Sequence, residues 1–167
     1  VQFIRGTAIT EIDLSNVVTV AANALGRADS LASVTFGEVA KNFKGSIFYS
    51  EKVTVKAPEN SYADKYVELY DEKYGKAYPE VSVSFEANGT AARPVVVFES
   101  AGDNAFFAIY QRKANVWDLE ISGSGAMRKY ANVADKNIAK GLPLSPMYDL
   151  TLTGLERNIF TIKVREG

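Results

Sequence analysis

Ser61-Tyr62-Ala63-Asp64-Lys65-Tyr66-Val67-Glu68-Leu69-Tyr70-Asp71-Glu72-Lys73-Tyr74-Gly75 carries a tyrosine at every fourth position. On a helix advancing about 100° per residue, those rings share one side with Ala63, Val67 and Leu69, interrupted only by Lys73. Asp64, Glu68, Asp71 and Glu72 gather within about 100° of one another on the opposite side. Pro58-Glu59-Asn60-Ser61 before the stretch and Gly75 and Pro79 after it are start and stop signals. The spacing predicts an amphipathic helix over residues 61–74 with an aromatic face that something must cover.

Two coverings are open. The helix can lie on the protein's own sheet, with each hydroxyl reaching a polar partner. Alternatively, some rings serve a second protein, because tyrosine is enriched at interfaces and several hydroxyls are hard to satisfy inside one core. Tyr62, Tyr66, Tyr70 and Tyr74 are therefore the candidate interface residues. The acidic side lacks the loop geometry of a calcium site and reads as a solvated face.

Outward from the helix, alternation predicts three hairpins. In the first, Val81, Val83 and Phe85 alternate with Ser82, Ser84 and Glu86, then Asn88-Gly89 precedes Pro94-Val95-Val96-Val97-Phe98. Asn-Gly between strand-like runs is a strong turn signal, since both residues tolerate positive φ. The second spans Ala105 to Ser122 and turns through Lys113-Ala114-Asn115. That loop sets Gln111 opposite Trp117, Ile109 opposite Leu119, Phe107 opposite Ile121 and Tyr110 opposite Asp118. The third runs from Tyr148 to Arg165 and turns after Gly154.

The N-terminal third is mixed. Val1 to Leu14 reads as one or two strands broken at Gly6, and Val17 to Ala22 as a strand or a helix. Leu31, Val34, Val39, Ala40 and Phe43 have helical spacing, with Asp29 or Ser30 as N-cap and Gly45 as stop. Ile47 to Lys56 reads as a strand. A further helix is expected over Ala126 to Lys140, ending at Gly141. Neither an internal repeat nor a composition break is visible, so residues 1–167 are expected to form a single domain. The fold class these elements imply is α+β: mainly antiparallel β, with the hairpins forming a sheet or sandwich and two to three helices packed on it.

Composition excludes more than it identifies. With 47% hydrophobic and 23% charged residues, the chain has the balance of a folded protein. Lys plus Arg is 19 and Asp plus Glu is 20, so no basic field recommends nucleic acid or a membrane surface as partner. No run of about 18 apolar residues spans a bilayer. The opening Val1 fits removal of an initiator Met, removal of a signal peptide or truncation, so the compartment stays open. Histidine and cysteine are both absent. Ser-His-Asp and Cys-His chemistry and ordinary zinc sites are thereby excluded.

Three weaker patterns have sufficient structural readings. Ser122-Gly123-Ser124-Gly125 resembles a phosphate-binding loop in composition, but Arg128 stands where the third dinucleotide-binding glycine belongs and no P-loop lysine follows. Glu86, Glu99, Asp118 and Glu120 are the strand-borne carboxylates that glycoside hydrolysis would need. Glu86 facing Arg93 across the first hairpin, and polar alternation at Asp118 and Glu120, account for them without chemistry. Trp117, Tyr110, Tyr148 and Tyr49 could stack on a sugar, although the hairpin register puts Trp117 on the apolar face. No catalytic residue, metal or cofactor is expected.

The resulting expectation is a non-enzymatic structural subunit that associates with copies of itself or a larger protein assembly, in the manner of a virion tail tube or capsid decoration protein. The alternative is a monomeric module binding carbohydrate or protein.

Overall fold

The computed structural model describes residues 6, 8–49, 51–100, 102–113, 116–127 and 159–164. In chain order the elements are β1 (Glu11–Leu14), β2 (Thr19–Val20), β3 (Ser33–Phe36), β4 (Asn42–Phe43), β5 (Lys52–Glu59), α1 (Tyr62–Tyr74), β6 (Ser82–Thr90), β7 (Val95–Ser100), β8 (Gly102–Lys113), β9 (Val116–Met127) and β10 (Ile159–Val164). The first half of the chain winds as stacked coils. Strands β1, β3, β5 and β6 lie side by side in that order, every pair parallel. Strands β2 and β4 make a second parallel pair.

Parallel neighbours cannot be joined by a tight turn, so each step needs a crossover. The chain leaves β1, passes through β2 and returns as β3; it then leaves β3, passes through β4 and returns as β5. The third crossover is α1, after which the chain returns as β6. Glu11 pairs with Ser33, Ser33 with Thr54 and Lys52 with Ser82, giving steps of 22, 21 and 30 residues. The helix accounts for the longer last step.

Backbone hydrogen bonds tie the coils together beyond the strands. Lys41 N–H donates to the Val18 carbonyl (3.0 Å), Asn23 N–H to Ser46 (2.7 Å) and Leu25 N–H to Ile47 (3.0 Å). At one corner the approach is so close that a Cβ on Gly37 would sit 2.1 Å from the Ser15 carbonyl oxygen. Inside the stack, Ile12, Val34, Val55 and Phe85 occupy one register position, while Asp13, Thr35, Lys56 and Glu86 line the outward one. Val34 and Val55 are fully buried, whereas Ile12 and Phe85 on the two end strands are only half-buried.

The second half is antiparallel: β7, β8 and β9 pair in sequence, and β10 joins β9 in parallel. One buried cluster links the two halves, running from Val34, Phe36 and Phe43 of the coils through Tyr62 and Tyr66 of α1 to Phe106 and Ala108 of β8.

Two expectations hold, and the open choice between strand and helix over Val17 to Ala22 is decided in part. The tyrosine segment is helical, and the register of the second hairpin agrees at all four pairs, Gln111 with Trp117, Ile109 with Leu119, Phe107 with Ile121 and Tyr110 with Asp118. Strand is the outcome at residues 19–20.

The fold class does not hold. Both coil sheets are parallel, and α1 is the one helix among the described residues, so a mainly antiparallel α+β domain with two to three helices is corrected to parallel coils joined to an antiparallel sheet. The first hairpin is absent: β6 pairs in parallel with β5, and β7 belongs to the other sheet. Asn88-Gly89 instead takes up a register shift, Ala57 pairing with Ala87 but Glu59 with Thr90, and Gly89 adopts φ 151° there. Such a bulge uses the same conformational freedom as a turn.

The helical spacing over 31–43 belongs to two strands and a corner, with Leu31, Val34, Ala40 and Phe43 buried from successive sides of a coil. The coils repeat in backbone and burial without repeating residues, so no repeat shows in the sequence. Ala126 and Met127 end β9; the rest of the expected helix to Lys140 lies outside the described residues. In the third hairpin, 159–164 is a strand, but its partner is β9 and residues 148–158 lie outside the described set.

Candidate functional site

Ser61 caps α1 by accepting the Asp64 N–H (3.3 Å), and the Asp64 carboxylate accepts the Asn60 N–H (2.7 Å). Asp64 is consequently buried at the helix start and does not join the solvated acidic face. This cap sets the helix over the open side of the second coil. Tyr62, Tyr66, Tyr70 and Tyr74 all point into the protein's own core, none more than 5% exposed.

Each ring has an edge partner and each hydroxyl a polar one. Phe43 meets Tyr62 and Tyr66 edge-on, with centroids 5.3 and 4.8 Å away. The Tyr62 hydroxyl bonds Ser122 (2.8 Å), Tyr66 donates to the Gly45 carbonyl (2.9 Å), Tyr70 bonds Ser46 (2.5 Å) and Tyr74 donates to Asn104 (3.4 Å). Burial pushes the Tyr66 hydroxyl well above the usual phenol range, reinforced by Tyr74 and opposed by the Ile47 N–H. Burial likewise raises Tyr70 to about 12 against the Ser46 hydrogen bond, and raises Tyr74. At neutral pH these are uncharged packing groups, unsuited to act as bases.

Between the coils and the antiparallel sheet lies a buried ionic cluster. Asp118 and Glu120, two apart on β9, are each 1% exposed. Arg93 reaches Asp118 at 2.5 Å, and Lys41 approaches Glu120 at 4.0 Å. Both cations also lie about 5 Å from the Tyr110 ring, Lys41 at 5.0 and Arg93 at 5.1 Å. Glu38 accepts the Arg93 backbone N–H (2.6 Å), and Asn42 accepts the Gly123 N–H (2.7 Å).

Simple alternation misplaced this cluster by assigning Asp118 and Glu120 to solvent; β9 in fact buries this face against the second coil. A glycosidase needs one carboxyl to deliver a proton to a leaving oxygen. Here each carboxylate is engaged by a cation from another segment, an arrangement suited to docking two layers. Glu86 faces outward in register with Lys56, and Arg93 is turned to Asp118, so the expected Glu86–Arg93 pair does not form. Glu99 pairs with Phe107 on β7 and β8, away from Asp118 and Glu120.

The other sequence candidates are dispersed. Ser122 to Gly125 runs within β9, where a Cβ on Gly123 (φ 100°) would lie 2.0 Å from the Asn104 carbonyl oxygen; the glycine serves strand contact. Tyr110 is buried and Tyr49 exposed on a coil corner, so they form no platform; Tyr148 and the Trp117 side chain lie outside the described residues. Among the described residues no group of three or more Asp, Glu, His or Cys side chains is placed to hold a metal, and no helix is long and apolar enough to cross a membrane.

Two surfaces remain. A groove of about 360 Å3 between the outer side of α1 and β7 is lined by Lys65, Glu68, Leu69, Val96 and Phe98. The other is the outer edge of β6, whose residues 86–90 are all exposed and which has no strand beyond it among the described residues. Comparison of the chain with known protein families, with curated proteins and with solved structures returned no match. Its chemistry must therefore be read from its own surfaces. In the sequence, the polar run Ser82, Ser84, Glu86 marks the outward face of β6, a pattern that a hairpin would carry equally.

Proposed function

We propose that the chain is a non-enzymatic building block that associates with copies of itself. The observation supporting this is the coil stack's last rung: its inner ladder is buried at Val34 and Val55 but only half-buried at Phe85, on a nine-residue strand whose outer edge pairs with no other strand among the described residues. Stacked architectures need their last rung covered, and an exposed edge strand offers unsatisfied backbone groups to another chain. A repeating particle such as a virion tube or shell is a setting for such a subunit. Light scattering over a range of concentrations, with electron microscopy of the same samples, tests the reading. Dimers or larger regular particles are expected, and a monomer at every concentration overturns it.

The groove between α1 and β7 favours a second reading, a monomeric module that binds a protein segment. Its floor of Leu69, Val96 and Phe98 offers apolar area, and the Lys65–Glu68 pair (2.7 Å) forms a polar rim. A strictly monomeric protein whose ligand binding is lost on Leu69→Asp would replace the first reading with this one.

A further inference from the structure

Strand β6 holds its last coil in place with one edge, and among the described residues no strand pairs with the other. The Ser82 N–H donates to the Glu51 carbonyl at 3.0 Å, so residue 82 turns its backbone groups toward β5. In a parallel ladder that direction alternates. Residues 84 and 86 therefore also face β5, while Val83, Phe85 and Ala87 present their N–H and carbonyl groups to the open edge. Their side chains, by contrast, lie on the inward side of the sheet, where Val83 and Phe85 are half-buried.

A second copy can meet this edge in two ways. Continuing the stack head to tail would place β1 of the next copy beyond β6. The ladder Asp13, Thr35, Lys56, Glu86 would then set Asp13 beside Glu86, a like-charge contact on an open sheet surface. Antiparallel pairing of β6 with itself avoids this, provided the two-fold axis falls correctly. Centred on Glu86, the carboxylate meets its own copy. Centred on Phe85, Ser84 meets Glu86, Val83 meets Ala87 and Phe85 meets Phe85, with only apolar pairs inside and no like charges outside. This register also matches residues whose backbone groups face outward, and it overlaps strand residues 82–88.

We infer that two copies associate through β6, antiparallel and centred on Phe85, to make one continuous sheet of eight strands from the two four-stranded coil sheets. The inference rests on the self-association reading above and specifies its interface. An isologous contact of this kind closes on itself. The half-exposed Phe85 rings then complete each other's inner ladder.

Cysteine is absent from the chain, so introduced thiols report without background. In this register Ser84 and Glu86 of opposite copies form a non-hydrogen-bonded pair with Cα atoms about 4.5 Å apart, within disulfide reach. Ser84 and its own copy lie about 8 Å apart, beyond it. Mixing S84C with E86C chains and oxidising gently is expected to give a mixed cross-linked dimer, while each variant alone gives little.

Charge supplies an independent readout at the exposed Ser84. S84K sets an ammonium opposite Glu86 at both symmetry-related positions and is expected to tighten the dimer roughly two- to thirtyfold; S84D weakens it by a similar factor. Circular dichroism should show both variants folded. If the protein is larger than a monomer but neither cross-linking nor the charge variants respond as stated, the β6 interface is wrong and self-association stands. A monomer at all concentrations removes both.

Discussion

The Ile47 backbone N–H donates to the hydroxyl oxygen of Tyr66 at 3.2 Å. The same hydroxyl donates to the Gly45 carbonyl at 2.9 Å, so one phenol closes both a donor and an acceptor of the second coil. Ser46 and Ile47 carbonyls are met from the other coil by Asn23 and Leu25. The tyrosine helix thus takes the place that another coil's backbone would fill, which explains why it has tyrosines where phenylalanines would pack as well. Tyr66→Phe keeps the ring and removes this closure. It is expected to cost about 1–3 kcal/mol, the penalty for buried polar groups losing their partner. Tyr66→Ala adds a cavity and should reach about 3–5 kcal/mol. Urea unfolding measures both, and wild-type stability in Tyr66→Phe would show that the hydroxyl is not a cap.

Alkaline pH should attack the same helix. The Tyr70 hydroxyl keeps its proton to about pH 12 in the folded chain, against an ordinary value of 10.0, because burial disfavours the phenolate. Tyr66 and Tyr74 are raised in the same direction. Below pH 10 folded and unfolded states are both protonated at these groups, and their contribution is constant. Above it the unfolded chain releases protons that the folded chain holds, so stability falls as pH rises toward 12. Denaturant midpoints should therefore drop steeply across that window, with a step in tyrosinate absorbance accompanying unfolding as the buried hydroxyls are released. Tyr70→Phe should flatten the drop.

The sequence made α1 and the β8–β9 register legible because each is decided by neighbours along the chain. An i, i+4 stripe declares a helix, and cross-strand apolar pairs fix a hairpin once its loop length is given. The coil stack is decided by residues 21 to 30 positions apart, such as Ile12, Val34, Val55 and Phe85, which share burial but not identity. No local period reports that. Asn88-Gly89 signalled its positive φ truthfully, yet a bulge and a turn need the same residue. Asp118 and Glu120 were illegible for a related reason: alternation separates two faces of a strand but cannot say that the polar one is buried.

The corner at Gly37 gives the coil stack a direct test. A methyl group there would lie 2.1 Å from the Ser15 carbonyl oxygen, and the obstruction is backbone rather than a side chain that can turn aside. Gly37→Ala should cost about 3 kcal/mol, the upper end of the range for overpacking. Gly6→Ala is the useful contrast, since nothing lies within 4 Å of its added Cβ, although its φ of 68° carries a small strain of its own. Thermal unfolding of the pair should separate them clearly; equal melting temperatures would mean the coils do not stack at this corner.

The Arg93–Asp118 pair tests whether the ionic cluster fastens the two halves. Asp118 is buried and Arg93 about a third exposed, with 2.5 Å between Nη2 and Oδ2. Arg93→Ala removes the cation while the carboxylate stays in a site of low polarity, and should cost about 3 kcal/mol, the lower end for a broken buried pair because water can reach the arginine's side. Replacing both members by apolar residues of similar size, R93M with D118L, removes the stranded charge together with the bond. The double variant should then be more stable than R93A, even though it has lost more native groups. A double variant less stable than the sum of the separate changes would assign Asp118 a further essential partner. Kinetics sharpen the distinction: a fastener between two layers made after each has formed should raise the unfolding rate when broken and leave the folding rate nearly unchanged.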